Sequence, residues 1–65
     1  MNKTLYDFIN RFFYGDFERI LIIDIGERER YKAEEMTVKQ MSRYTIKSIE
    51  NIDYDTDSNR FVIRV

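Results

Sequence analysis

The chain has no cysteine, no histidine, no proline and no tryptophan, and only two glycines among its 65 residues. Without cysteine there is no disulfide, no thiolate metal site and no thiol nucleophile. Without histidine the commonest general base and the commonest metal ligand are both missing. Without proline no cis-proline turn slows folding. Gly15 and Gly26 stand far apart, so no glycine-rich loop can cradle a phosphate. A chain of this size, lacking staples, must be held together by its own apolar core, by an oligomer, or by both.

What is present suits a folded domain. Hydrophobic residues make up 43% of the chain, with five tyrosines and five phenylalanines, which argues against disorder and for a single domain spanning residues 1–65. Eleven basic residues against twelve acidic ones leave a net charge of −1, too balanced for a general nucleic-acid binder. The distribution along the chain is less even than the total. Residues 27–47 carry six basic and four acidic side chains, whereas residues 48–59 carry four acidic (Glu50, Asp53, Asp55, Asp57) and no basic one. Such a split either orients a charged partner or marks a solvated hairpin end. No apolar run follows Met1 as a leader would require, and none approaches the roughly 18 residues of a membrane span. Beginning at Met1 and ending on a strand-like Val65, the chain is read as a complete small cytoplasmic protein.

Leu5, Phe8, Ile9, Phe12 and Phe13 recur at the spacing of a helix packed on a core. Thr4 and Asp7 form a capping-box pattern ahead of it, and Gly15 suits the left-handed position beyond its end, so the spacing predicts a helix over residues 5–14. Phe17 to Ile25 reads as a strand, Gly26 to Glu29 as a turn, and Arg30 to Ala33 as a shorter, charged edge strand. Thr37-x-x-Gln40 predicts a second, short helix over residues 38–42. Tyr44 to Ile52 resumes strand character, although its alternation breaks at Ile49, as a bulge or an early end would explain. A polar turn at Asp55 to Asn59 precedes a last strand, Arg60 to Val65, with Phe61, Ile63 and Val65 facing inward. The expected fold is α+β: a small four-stranded antiparallel sheet in the order α-β-β-α-β-β, with one main and one short helix on one face.

The run from Ile20 to Ile25 is apolar on both faces. Leu21, Ile23 and Ile25 point one way, Ile20 and Ile22 the other. One helix covers one face of a small sheet, which leaves two solutions for Ile20 and Ile22. Either the short helix with Met36 and Met41 folds over them, or another molecule does, and in the second case they form a partner or homodimer interface.

Few groupings carry chemistry. Asp53, Asp55, Asp57 and Asn59 alternate like the start of a calcium loop, but the glycine and the bidentate glutamate that such a loop needs are absent, and a hairpin turn accounts for them. Asp24 is the lone acid in the apolar strand and reads as a strand-end carboxylate paired with Arg30, Lys32 or Lys47. The tyrosines and arginines (Tyr6, Tyr14, Tyr31, Tyr44 and Tyr54; Arg11, Arg30 and Arg43) are residue types that supply binding hot spots or clamp a nucleotide. With no histidine, cysteine or paired carboxylates in a plausible cleft, an enzyme is disfavoured and no cofactor or metal is expected.

The succession Leu5-Tyr6-Asp7-Phe8, Ile20-Leu21-Ile22-Ile23-Asp24, Tyr31-Lys32-Ala33, Tyr44-Thr45-Ile46-Lys47-Ser48-Ile49 and Phe61-Val62-Ile63-Arg64-Val65 resembles the small uncharacterised proteins of phages and prophages of low-GC Gram-positive bacteria. The resemblance implies a stoichiometric inhibitor of host machinery, such as an anti-CRISPR or other counter-defence factor, in the host cytoplasm. The expectation is therefore a non-catalytic binding protein, homodimeric and directed at a host protein. Its contacts are placed at Ile20, Ile22, Arg30, Tyr31 and Lys32. The alternatives are an oligomeric sponge for a nucleotide-like ligand and a structural or assembly accessory.

Overall fold

The computed structural model describes residues 3–65. Helix α1 spans Leu5–Phe12 and is closed at its start by the predicted box: the Asp7 N–H donates to Thr4 Oγ1 (3.3 Å) and the Thr4 N–H to Asp7 Oδ2 (3.1 Å). The helix ends two residues earlier than its apolar spacing predicts. Tyr14 (φ +55°) and Gly15 (φ +73°) both adopt the left-handed conformation, which reverses the chain toward the sheet.

Strand β1 is Ile20–Asp24, reached through a 3-10 turn at Phe17–Arg19, so the expected strand start at Phe17 is helical instead. Strand β2 is Glu29–Lys32, after which Ala33–Glu35 form a second 3-10 turn. Helix α2 spans Val38–Met41, with Thr37 and Gln40 closing the second predicted box. Strand β3 is Asn51–Asp55 and β4 is Arg60–Arg64, joined by the turn in which the Asp55 carboxylate accepts from the Asp57 N–H and the Ser58 hydroxyl. Residues 44–50, expected as strand, instead pair with the N-terminus through a Thr4–Thr45 bridge and then turn through a 3-10 segment at Ile46–Ser48. The three-residue spacing of Ile46 and Ile49 suits that tighter helix.

The strands lie in the order β2-β1-β4-β3. The two hairpins are antiparallel as expected, but β1 and β4 run parallel at the centre, with Ile20 opposite Phe61 and Ile22 opposite Ile63. The sheet is therefore mixed, not wholly antiparallel. Its geometry follows from the segment between β2 and β3, which crosses one face of the sheet and delivers β3 to the far edge. The final hairpin then brings β4 back beside β1, running in the same direction.

One face of this sheet is covered. Leu5 and Ile9 of α1, Ala33, Met36 and Met41 of the crossing segment, and Ile20, Ile22 and Ile63 of the central strands form a single buried cluster. Tyr31, Phe61 and Val65 share that face and pack against its margin. Ile20 and Ile22 are 1% and 0% exposed. Of the two solutions open for them, the intramolecular one holds: the helices and Met36 and Met41 cover them, so they are core and not an interface.

Candidate protein-interaction surface

Since Ile20 and Ile22 point into the core, the bare face of β1 is the opposite one. Leu21 and Ile23 lie there, flanked on β4 by Val62 and Arg64 and on β2 by Lys32 and Arg30. Val62 is buried but stands outside the core cluster, shielded from water by its neighbours on this open face. The Arg64 guanidinium pairs with Asp53 on β3 and donates to Asn51 Oδ1 at 3.3 Å. The five residues expected to form one contact surface are thus divided. Ile20, Ile22 and Tyr31 belong to the helix-covered side, whereas Arg30 and Lys32 project from the other.

The helical layer does not reach the β3 edge. Ile52 and Tyr54, opposite Ile63 and Phe61, face the same side as the core yet remain 40% and 49% exposed. From Tyr54 an unbroken series of aromatic contacts runs back to α1. Tyr54 meets Phe61 edge-on at 4.9 Å between ring centres, Phe61 meets Phe13 at 5.0 Å, Phe13 meets Phe8 at 6.0 Å, and Phe8 meets Phe12 at 4.9 Å. Such tilted and edge-on pairs hold rings in fixed positions without filling the space above them.

At the α1 end the series opens to solvent again. Phe12, which the helical spacing assigned to the core, is 58% exposed, with the Arg11 guanidinium 5.8 Å from its ring centre. Two shallow depressions flank it. One of about 410 Å³ is lined by Lys3, Asp7, Phe8, Arg11, Phe12 and Ile46. The other, about 300 Å³, lies between Phe12, Phe13, Tyr14, Arg19, Ile20 and Phe61. Tyr14 stands at the rim of the second, 92% exposed and held at positive φ. A bulky residue in that conformation costs about 1 kcal/mol relative to glycine, a penalty that often accompanies a functional position.

Polar groups elsewhere serve the fold. Asp24 does not pair with Arg30, Lys32 or Lys47; its carboxylate accepts from the Glu27 N–H at 3.0 Å and from the Tyr44 hydroxyl at 2.7 Å. The Glu27 amide and then the Tyr44 hydroxyl hold the Asp24 carboxyl below the usual carboxylate range. Burial, and then the bond to Asp24, pushes the Tyr44 phenol up to about 12. Ser58 and the Asp57 amide likewise lower Asp55. Among the described residues no group of three or more acidic side chains is placed to share a metal ion, and no helix is long and apolar enough to cross a membrane.

The sequence reading did not single out Phe12, Ile52, Tyr54 and Phe61 as a group. Two signals pointed to them. Phe12 and Phe13 are adjacent, so the apolar stripe of α1 is wider than one core contact. Ile52 and Tyr54 also alternate with Asn51, Asp53 and Asp55, as a two-faced edge strand does. Comparison with protein-family models, curated proteins and solved structures finds no match.

Proposed function

We propose that the protein is a non-catalytic binding protein that occupies the surface of another protein one-to-one, using the aromatic strip from Phe12 to Tyr54 as its contact. The observation that carries this reading is the continuity of that strip: five rings in successive contact, with exposed residues at both ends. Aromatic anchors held in place by packing lose little freedom on binding, which is why such residues dominate interface energetics. The likeness to small phage and prophage proteins directs the search to a bacterial host protein, whose activity would be blocked by occlusion. A homodimer through Ile20 and Ile22 forms no part of this reading, because both are core.

Quantitative capture from bacterial lysate tests it. Wild type, a Phe12→Ser/Tyr54→Ser variant and a Val38→Ser control are compared at micromolar concentration, after melting curves establish that all three are folded. Val38 is also exposed but lies at the start of α2, away from the strip. The expected result is a near-stoichiometric partner held by wild type and control and lost by the double variant. Equal recovery by all three, or no specific protein at all, contradicts the reading.

A further inference from the structure

The aromatic strip borders a free strand edge, and the two together specify a kind of partner. β3 pairs with β4 on one side only. Alternate residues along its other side direct N–H and C=O groups outward, available to one more strand. The two faces of that edge differ sharply. On the core side stand Ile52 and Tyr54, with Phe61 and Phe13 behind them and no helical cover. On the open side stand Asn51, Asp53 and Asp55, the residues opposite Arg64, Val62 and Arg60.

Resting on the reading of the strip as the contact surface, we propose that β3 accepts an extended segment of a partner protein as a fifth strand. That segment carries apolar side chains at alternate positions and lysine or arginine at the positions between them. Its apolar side chains lie over Ile52, Tyr54 and Phe61, and its basic side chains lie opposite Asp53 and Asp55. Main-chain hydrogen bonds supply the pairing and the alternation supplies the selectivity, as in other cases of strand addition. Among the described residues Asp53 is paired with Arg64, whereas Asp55, opposite Arg60, forms no ion pair. The acidic segment of residues 48–59 contains no basic residue of its own.

The same charges disfavour the simplest self-association. Two β3 strands paired about a twofold axis would set carboxylates against carboxylates on the open face, which destabilises cross-strand pairs. The β2 edge of a second copy has the required alternation, with Arg30 and Lys32 on one face and Tyr31 on the other, and is the competing occupant. Such a contact is head-to-tail and produces rings or open chains rather than a closed dimer.

Isotope-labelled protein titrated with a blocked octapeptide of alternating lysine and valine tests the proposal. The expected result is saturable shifts and slowed amide exchange confined to Asn51–Asp55 and the rings of Tyr54, Phe61 and Phe13. Affinity should fall by about tenfold or more when alternate peptide amides are methylated, and should vanish when glutamate replaces lysine. Shifts confined to Leu21, Ile23 and Arg30, or insensitivity to amide methylation, overturn strand addition. So does concentration-dependent self-association of the protein alone that Lys32→Glu abolishes, since the occupant is then a second copy. A peptide that fails to bind, while lysate capture still depends on Phe12 and Tyr54, overturns strand addition and leaves the contact surface standing. Failure of both removes the surface as well.

Discussion

The Tyr44 hydroxyl donates to the Asp24 carboxylate at 2.7 Å, tying the loop after α2 to the end of the central strand β1. Asp24 also accepts from the Glu27 N–H, so a single carboxylate anchors the β1–β2 turn and the crossing segment together. This bond makes stability pH-dependent at both extremes. The Asp24 carboxyl, held low by the Glu27 amide and the Tyr44 hydroxyl, stabilises the fold above the ordinary carboxylate range, and that contribution is lost as pH falls through its lowered value. Tyr44 is raised from 10.0 to about 12, so its contribution is complete below pH 10 and is lost as pH climbs toward 12. Melting curves from pH 2 to 12 should show both losses. Tyr44→Phe should cost about 1 kcal/mol at neutral pH and remove the alkaline loss assigned to this phenol.

Ile22 is fully buried in the core cluster with Leu5, Ile9 and Ile63, and its replacement tests the assignment of that face to the core. Ile22→Ala should destabilise the fold by about 3 kcal/mol, the usual cost of a cavity in a packed core. Ile22→Lys should unfold the protein, as circular dichroism would report. A folded Ile22→Lys protein of reduced oligomeric state would mean that the face is an interface after all.

Tyr14 separates stability from binding. Its left-handed backbone strains a tyrosine but not a glycine, so Tyr14→Gly should leave stability unchanged or raise it by up to about 1 kcal/mol. Partner affinity should fall, because the ring at the rim of the aromatic strip is gone. Denaturant midpoints and capture yields measured on the same preparation check both halves.

The second helix is four residues long and relies on its cap. Thr37→Ala removes the acceptor of the Gln40 N–H and should cost about 1 kcal/mol, with amide exchange accelerated first at Gln40 and Met41.

Local signals in the sequence were legible because each rests on a short-range physical rule. Thr4 with Asp7, and Thr37 with Gln40, marked both helix starts to the residue, and the alternation of Phe61 and Ile63 identified the last strand. The partnership of β1 with β4 was not legible. It joins residues far apart in the chain, and nothing in either hairpin states on which side the other docks. The face of β1 that would be covered was hidden for a related reason. Alternation separates Ile20 and Ile22 from Leu21 and Ile23, but which set meets the helices depends on where Met36 and Met41 are carried. Residues 44–50 misled because isoleucine and tyrosine favour strands, while the chain there forms an isolated bridge at Thr45 and then turns through a 3-10 segment. The candidate site emerged last, since it depends on how far the helical layer extends rather than on any motif.

Partners are proposed to meet this protein along the β3 edge and the aromatic strip beside it. Amide hydrogen exchange across the chain, measured with and without the captured partner, tests it most directly. Exchange is expected to slow at Asn51–Asp55 and at the last turn of α1, with Glu29–Lys32 unchanged. Protection at Glu29–Lys32 and at Leu21 and Ile23, with Asn51–Asp55 still exchanging freely, would contradict it.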